Sequence, residues 1–367
     1  MIYYLNLHND PFISIKSGKK TVEMRLNDQR RQSITIGDIL VFTNNDTKEK
    51  ISVEVLEKQI FPNFSELYKA YNKIEIGYEE DEIADPNDML KYYSQEKMDK
   101  YGALAIRIKL LKNYVVVFDM DDTLLTDKKT VSDYSLNILK TLQEMGHKVV
   151  MNTARSKYYN SEYFKLVKPD YAILNGGALI IDKEENVVYK SVFDVNKIEE
   201  IIKEFLKYTR IFSLQTENDF LTNNIEYKGQ NAKYFDFSKE YFRDECYKIV
   251  ASFINLEDAF KVGEKFNLEV VPYFDGKFVR FNNKGISKLS GNIELSKILN
   301  VNLDDFIVFG DDVGDLEMIE NCGEGVLMLN SNIFAKYPNI LKTEYSNNED
   351  GVCKYLDKKF KISAKPH

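Results

Sequence analysis

The 367-residue sequence has few of the residues on which several common catalytic and structural arrangements depend. Three cysteines and three histidines are too few for a disulfide framework, a cysteine-based zinc site or a histidine-rich metal centre. Tryptophan is absent, but 23 phenylalanines and 24 tyrosines supply apolar material for several cores. The N-terminus lacks the basic start and apolar run of a signal peptide, so the sequence predicts a protein of the reducing cytoplasm.

Long hydrophobic runs and an excess of basic charge are also missing. No apolar stretch approaches the roughly 18 to 20 residues that span a bilayer, so no membrane partner is predicted. There are 50 basic and 58 acidic side chains, which give a net charge of −8. An acidic chain is poorly suited to coating DNA, because phosphate binding needs a cationic surface.

The pattern of elements along the chain predicts an α/β fold with three domains. The first third has short strands around one helix and predicts a small α+β, barrel-like domain. Buried strands then alternate with helices, which predicts a Rossmann-like, doubly wound parallel sheet. Antiparallel-looking strand pairs, beginning with Ala178–Ile181 and Val187–Ser191, interrupt this alternation and predict an inserted α/β cap. The predicted domains are 1–112, the sheet domain over 113–177 and 285–367, and the cap over 178–284.

Polar side chains follow three strands of the predicted parallel sheet. The carboxyl ends of such strands meet at one edge, so these side chains converge there. Five carboxylates at one edge repel each other unless a divalent cation and a substrate phosphate share the site. Hard oxygen ligands suit Mg²⁺, which is therefore the predicted cofactor. The converging residues are Asp119 and Asp121 after strand 115–118, Thr153 after strand 149–151, Asp311, Asp312 and Asp315 after strand 307–309, and Lys288 at a helix start.

In this order, the segments around these residues resemble the four motifs of the haloacid dehalogenase-like hydrolase superfamily. The chain is similar in particular to the Cof-type branch, which has a large IIB cap. Asn175-Gly176-Gly177-Ala178, Gly285-Ile286-Ser287-Lys288 and the segment 347–352 also match that branch. The resemblance implies a Mg²⁺-dependent phosphatase that acts on a small phosphorylated metabolite, such as a sugar phosphate, a nucleotide or a phosphorylated cofactor.

The same resemblance implies a role for each motif residue. Asp119 would attack phosphorus and form an aspartyl-phosphate, while Asp121 would serve as general acid and then as general base. Thr153 and Lys288 would hold the transferring oxygens. The ligands of Mg²⁺ would be Asp119, the backbone carbonyl of Asp121 and Asp311, with Asp315 and Asp312 orienting its waters.

Four further residues stand where the branch lines its substrate site: Arg155, Asn175, Gly176 and Asn347. A helix cap or a loop hydrogen bond accounts equally well for Arg155, Asn175 and Asn347. A phosphomutase is a third possibility for the motif set, but it requires a bisphosphate activator and the exclusion of water.

The N-terminal segment Gly18-Lys19-Lys20-Thr21-Val22-Glu23-Met24-Arg25, followed by Ile36-Gly37-Asp38, resembles the ASCH domain, a relative of the PUA-like barrels. That family is associated with RNA or nucleotide binding, and some small members hydrolyse acylated cytidine. Their catalytic lysine corresponds to Lys20, but Glu23 stands in place of their catalytic threonine. The candidate ligand-binding residues are Lys19, Lys20, Glu23 and Arg25.

Two readings of this N-terminal cluster remain open. It binds an anionic ligand, or it is a solvated basic turn in which Glu23 and Arg25 form a structural pair. In the first case the chain is alternatively an RNA- or nucleotide-binding protein, and its phosphatase domain acts on that ligand.

Overall fold

The computed structural model describes residues 1–209, 211–217, 219–225, 232–273 and 278–363. Residue contacts group the chain into two compact units. The first comprises Met1–Asn113, Lys140–His147 and the chain from Leu356 onward, and the second comprises Tyr114–Leu139 and Lys148–Tyr355. The three domain ranges given above stay a prediction, and residues 364–367 of the predicted sheet domain lie outside the described residues.

The first unit contains a five-stranded mixed sheet in the order β1-β3-β4-β5-β2. Strands β1 and β3 are parallel, and the other neighbours are antiparallel. Alternate side chains such as Leu40, Val53 and Leu104 point into one apolar core. The elements are β1 (Ile2–Leu7), α1 (Asn9–Lys16), β2 (Val22–Leu26), α2 (Gln29–Gln32), β3 (Ile39–Asn44), β4 (Lys50–Phe61), α3 (Phe64–Ala70), α4 (Gln95–Tyr101) and β5 (Ala103–Leu110).

The rest of the chain supplies fourteen strands and seven helices among the described residues. The strands are β6 (Val115–Phe118), β7 (Lys148–Asn152), β8 (Tyr171–Leu174), β9 (Leu179–Asp182), β10 (Val187–Lys190), β11 (Phe212–Gln215), β12 (Phe220–Thr222), β13 (Ala232–Tyr234), β14 (Lys248–Ser252), β15 (Leu268–Pro272), β16 (Phe278–Asn283), β17 (Phe306–Gly310), β18 (Glu324–Leu327) and β19 (Leu341–Lys342). The helices are α5 (Asp133–Glu144), α6 (Lys157–Val167), α7 (Ile198–Tyr208), α8 (Leu256–Phe266), α9 (Lys288–Leu299), α10 (Val313–Asn321) and α11 (Gly351–Phe360). Within the described ranges, none of the helices combines the length and the apolarity that crossing a bilayer requires.

Eight strands of the second unit form the central sheet, in the order β10-β9-β8-β7-β6-β17-β18-β19. The six strands from β8 to β19 are parallel to one another, whereas β9 is antiparallel to both of its neighbours, β8 and β10. This placement corrects the sequence interpretation of the β9–β10 hairpin, which assigned it to the cap. Strand β9, buried except for the half-buried Asp182, pairs with β8 and so extends the central sheet at its edge.

The remaining strands form a six-stranded sheet in the order β13-β12-β11-β14-β16-β15. This sheet lies in the chain between β10 and α9, and we call it the inserted sheet. Its apolar side chains, including Leu214, Ile249 and Phe281, form one core with side chains of α7 and α8. Since strand side chains alternate between faces, the opposite face of the inserted sheet carries the intervening residues.

Candidate active site

The short buried strand β6 delivers Asp119 to the carboxyl edge of the central sheet. All four residues of β6 are buried, and the strand has a parallel neighbour on each side, β7 and β17. The chain leaves β6 through an irregular turn, Met120–Leu124, in which Asp122 has φ 58°. A non-glycine residue in this left-handed region stores backbone strain, which is common at functional sites. Together with Asp119, the turn forms the segment D-x-D-x-T, which runs from Asp119 through Asp121 to Thr123 and crosses the end of the sheet.

A buried lysine is held between two carboxylates at this edge. Lys288, the first residue of α9, has its Nζ 2.9 Å from Asp119 Oδ1 and 2.5 Å from Asp315 Oδ1. Asp315 is fully buried on α10, and its Oδ2 accepts hydrogen bonds from the backbone N–H groups of Asp311 and Asp312. Although burial lowers it, the two carboxylates bring the pKa of Lys288 above its ordinary range, so the lysine is a fixed cation.

Three carboxylates at this edge have the spacing of a cation site. Oxygens of Asp119, Asp311 and Asp315 all lie within 4.8 Å of one another. Burial, and then the repulsion of neighbouring carboxylates, raises the pKa of Asp311 to about 8. Burial likewise raises the pKa of Asp119 to about 7, although Lys288 counteracts it. A hard divalent cation binds clustered carboxylate oxygens and offsets the repulsion between them. These residues therefore fit Mg²⁺.

Asp312 is the most exposed acid of this group and caps a helix. Its Oδ1 accepts a hydrogen bond from the backbone N–H of Gly314 at 2.7 Å, and so it begins α10. Its side chain is not among the three that converge within 4.8 Å. Burial and the charge of Asp315 raise the pKa of Asp312 above its ordinary value.

Asp121 lies at the same edge but is paired with cations. Arg155 makes a bidentate contact with it, Nε to Oδ2 at 2.7 Å and a terminal nitrogen to Oδ1 at 2.6 Å. Lys129 Nζ lies 2.9 Å from Asp121 Oδ1. Burial raises the pKa of Asp121, but the two cations outweigh this effect and hold it below the ordinary range. Asp121 is therefore an ionised carboxylate in this arrangement, able to accept a proton.

The other predicted residues differ in their positions. Thr153 directly follows β7 and is buried, and its Oγ1 accepts from the backbone N–H of Arg155. Asn175, with φ 54°, and Gly176, with φ 69°, follow β8, and the amide side chain of Asn175 is buried without a hydrogen-bond partner. Asn347 instead donates to Leu125 O at 3.0 Å and to Asp127 Oδ1 at 3.1 Å, which anchors the loop after the first motif.

Two residues of the site were not among the candidate residues that the sequence predicted. Thr123 donates from Oγ1 to Asp311 Oδ1 at 2.9 Å and thereby links the first and last motifs. Its position in the D-x-D-x-T segment was a usable indication. Lys129, which contacts both Asp121 and Asp122, has no distinguishing pattern, because a lysine in a polar loop is ordinary in sequence.

The first unit contains a separate cavity of about 470 Å³, and three of the four predicted N-terminal residues line it. Glu23 lies between two cations, with Oε2 2.9 Å from Lys20 Nζ and Oε1 2.7 Å from Arg25 Nε. Burial raises the pKa of Glu23, but Lys20 and Arg25 lower it below the ordinary range. Glu23 Oε2 and Arg25 Nε lack a well-directed hydrogen bond even at these ion-pair distances. The three side chains therefore form a charged group paired within itself, and all three residues line the cavity.

Lys19 does not belong to this cavity. Its side chain is 54% exposed and pairs with Glu79 at 2.8 Å. The adjacent lysines thus have different surroundings, since successive residues of an extended segment point to opposite sides. The predicted cluster of four is a buried group of three, Lys20, Glu23 and Arg25, and one surface lysine.

We expect Glu23→Gln to loosen β2 and β5, because it leaves two buried cations facing each other without a counter-charge. The expected local cost is about 3–5 kcal/mol. Because the pKa of Glu23 is depressed on folding, its stabilisation is complete above its ordinary pKa of 4.5 and is lost as the pH falls below it. Hydrogen exchange of β2 peptides measures the loosening, and the difference from wild type should shrink at pH 3. Glu79→Gln, at an exposed pair, is the control, and an equal response in both variants would contradict the prediction.

Comparison with known proteins gives two regional matches. Residues 116–356 match the family described as haloacid dehalogenase-like hydrolase, and residues 5–112 match the ASCH domain. The Bacillus subtilis 5-amino-6-(5-phospho-D-ribitylamino)uracil phosphatase YitU is 25% identical over 276 residues, 68% of this chain and 99% of that protein. The phosphatase YcsE of the same organism, which carries the same substrate name, is 25% identical over 66% of this chain and 94% of its own length.

Solved structures share the fold of the second unit. A haloacid dehalogenase-like hydrolase from Bacteroides thetaiotaomicron aligns with a TM-score of 0.59 at 20% identity, covering 68% of this chain and all of that one. At this identity the likeness is one of fold.

Proposed function

The chain belongs to the haloacid dehalogenase-like hydrolases and is a phosphatase, and on this premise we propose that it hydrolyses the phosphate monoester of a small metabolite through a covalent intermediate on Asp119. The substrate would be a sugar phosphate, a nucleotide or a phosphorylated cofactor. One observation carries the proposal: the buried carboxylate of Asp119 lies at the end of β6, bound to Lys288 and within 4.8 Å of Asp311 and Asp315 oxygens.

In the first step, an Asp119 oxygen attacks phosphorus and the bond from phosphorus to the leaving oxygen breaks. Lys288 and the Thr153 hydroxyl stabilise the charge that develops on the transferring oxygens. Asp119, the Asp121 backbone carbonyl and Asp311 would hold Mg²⁺, whose positive charge would offset the repulsion between phosphate and carboxylates. Asp315 anchors the loop that carries Asp311.

Asp121 then provides the proton transfers. A phosphate that draws Arg155 away removes one of the two cations that keep Asp121 ionised, so the pKa of Asp121 rises and it can protonate the leaving alkoxide. In the second step, the ionised carboxylate takes a proton from the water that attacks the phosphorus of the aspartyl-phosphate. That attack releases inorganic phosphate and restores Asp119.

The test is phosphate release by the purified full-length protein over a panel of sugar phosphates, nucleotides and phosphorylated cofactors. We expect turnover of one substrate group with Mg²⁺, and its loss when the ion is chelated. Chelator followed by excess Mg²⁺ is the control for irreversible damage. Absence of release from every substrate, in a protein whose melting temperature responds to Mg²⁺, would count against the proposed function.

Mg²⁺ is expected to raise the melting temperature, and to do so more at pH 8 than at pH 6. The pKa values of Asp119 and Asp311, about 7 and about 8, lie above the ordinary 3.8, so the ion-free fold loses stability as pH rises through this window. At 100 times the dissociation constant, binding adds about 2.7 kcal/mol, which corresponds to roughly 5–10 °C for a domain of this size. Differential scanning fluorimetry measures the shift.

Asp311→Asn is expected to remove this Mg²⁺ response and to make the ion-free protein more stable, because one member of the repelling group loses its charge. Asp122→Asn, at an exposed carboxylate of the same edge, should leave the response intact. A full Mg²⁺ shift in the Asp311 variant would contradict the predicted ligand set.

We also propose that the ASCH domain binds one nucleobase-sized ligand in the cavity lined by Lys20, Glu23 and Arg25. The two cations are buried and share one carboxylate, an arrangement that suits directed hydrogen bonds to a small polar ring better than contact with a polymer backbone. Filter binding of nucleosides, nucleotides and short RNA tests this. Lys20→Ala and Arg25→Ala should abolish binding, whereas Lys19→Ala, outside the cavity, should have little effect. If Lys20→Ala and Arg25→Ala retained ligand binding, the proposed binding site would be wrong.

A further inference from the structure

The polar face of the inserted sheet has a distinct composition. Ile249 and Phe281 point into the core formed with α7 and α8, so their neighbours Lys248, Arg280 and Asn282 point to the other face. Gln215 is opposite Lys248 in the register of β11 and β14, and so lies on that face as well. All four side chains are at most 9% exposed. A buried sheet face with two cations and two amides is not an apolar packing surface.

This polar face contacts the catalytic edge of the central sheet. Lys248 Nζ donates to the carbonyl oxygen of Ala154 at 2.6 Å, and Ala154 lies between Thr153 and Arg155. Asn282 Nδ2 lies 3.4 Å from the carbonyl oxygen of Asn175. The polar face therefore reaches the chain that follows β7 and the chain that follows β8.

Arg280 lies against the glycine turn after β8. A Cβ atom on Gly176 would come within 2.4 Å of an Arg280 terminal nitrogen, so glycine at this position admits the guanidinium. Burial lowers the pKa of Arg280, and the charges of Tyr273, Glu269 and then Asp312 act against this effect. Arg280 is thus near the turn between β8 and β9 and within the electrostatic influence of the last of the four motifs.

The two cations have no acidic partner in the described part of the chain. No carboxylate lies within ion-pair distance of either, Arg280 Nε has no hydrogen-bond partner, and the side-chain contact of Lys248 is a neutral carbonyl. As diagonal neighbours on adjacent strands, they are roughly 7–8 Å apart at the backbone. Burial, reinforced by Arg280, lowers the pKa of Lys248 to about 7. Two buried like charges without an anion are costly, and a bound anion relieves that cost.

We propose that Arg280 and Lys248 bind a second anionic group on the leaving group of the substrate, a carboxylate or a second phosphate, and thereby determine specificity. The inference rests on the proposed phosphatase function. The transferring phosphate would already be bound by Lys288, by Thr153 and by the cation that the acidic cluster would hold. Gln215 Oε1 and the Asn175 amide, both buried and unpartnered, are available to the uncharged part of the leaving group.

The experiment compares substrates that differ only in the second group. Glycerol 3-phosphate is paired with 3-phosphoglycerate, sorbitol 6-phosphate with 6-phosphogluconate, and fructose 6-phosphate with fructose 1,6-bisphosphate. The first two pairs test a carboxylate and the third tests a phosphate. We expect the wild type to have a kcat/KM about 10- to 100-fold higher for the charged member of at least one pair, the range for hydrogen bonds to charged groups.

Two substitutions assign that preference to the cations. Arg280→Met and Lys248→Met should each lower kcat/KM for the charged substrate by about tenfold or more and leave the uncharged one almost unchanged. Arg280→Lys, which keeps the charge, should lower kcat/KM for the charged substrate less. This variant also keeps the inference testable if Arg280→Met folds poorly. Lys261→Met, on α8 and paired with Asp258, is the control on the helical side of the inserted sheet.

The outcomes separate this inference from the function on which it rests. If the wild type hydrolyses uncharged members as well as charged ones, or the variants lose both equally, the second-anion inference is wrong and the phosphatase function stands. If no substrate gives phosphate release that depends on Asp119, both are wrong. Preference confined to the bisphosphate, or to the carboxylates, supports the inference and identifies the group.

Discussion

Asp119→Asn is expected to reduce phosphate release by at least about 10⁴-fold, as the loss of a covalent nucleophile does in other enzymes. The amide has the size of the carboxylate but not its nucleophilic charge. The fold should persist, because Asp315 still pairs with Lys288 and one of the mutually repelling carboxylates is gone. Steady-state phosphate release, with melting temperature measured alongside, checks both parts.

Asp122→Asn provides the matched control for this substitution. It lies three residues from Asp119 in the same turn, and its exposed side chain pairs with Lys129. Its activity should stay within a few-fold of wild type, on the scale of a surface ion pair. If Asp119→Asn retained a substantial fraction of turnover, the covalent mechanism would be abandoned, whatever the control did.

Lys288→Met is expected to be the most destabilising substitution at the site and also to abolish turnover. It leaves the buried carboxylates of Asp119 and Asp315 without their cation, a loss of about 3–5 kcal/mol. At roughly 2–4 °C per kcal/mol for a domain of this size, the melting temperature falls by about 6–20 °C. The fall should be larger at pH 8 than at pH 5, because protonated carboxylates repel less. Mg²⁺ should restore part of it.

Lys297→Met, on the exposed side of the same helix, is the control for the loss of a lysine from α9. Lys297 pairs with Glu294 at the surface, and such pairs contribute about 0–1 kcal/mol. Equal effects of the two lysine substitutions, or a Lys288 effect that does not depend on pH, would show that the buried charge pair is not the cause.

The proximity of the acidic side chains was predictable because it depends on residues that follow strand ends. The sequence resemblances to the haloacid dehalogenase-like hydrolases and to the ASCH domain are confirmed, as is the α/β fold class. Strands β6, β7 and β17 are short and largely apolar, and they are followed directly by Asp119, Thr153 and Asp311. Because parallel strands share one carboxyl edge, such local patterns are enough to predict that Asp119, Asp311 and Asp315 lie close together.

Contacts that depend on long-range pairing were not predictable in the same way. The β9–β10 hairpin looks alike in sequence whether it pairs with β8 or with the cap, and only its register with Tyr171–Leu174 decides. The composition around Lys19 and Lys20 does not indicate which of the two is buried, although Lys19 is exposed and Lys20 is buried. Lys248 and Arg280 read as ordinary strand residues, and only the helices on the opposite face reveal which way they point.

The inserted sheet returns to the central sheet through a very short tether. Strand β16 ends at Asn283 and α9 begins at Lys288, with only four residues between them, one of which is Gly285 at φ 79°. An extended chain spans at most about 3.6 Å per residue, so this tether has little slack. Displacement of the inserted sheet is therefore transmitted to Lys288 or absorbed by rotation at Gly285. We expect opening of the cap and disengagement of Lys288 from Asp119 to be mechanically coupled.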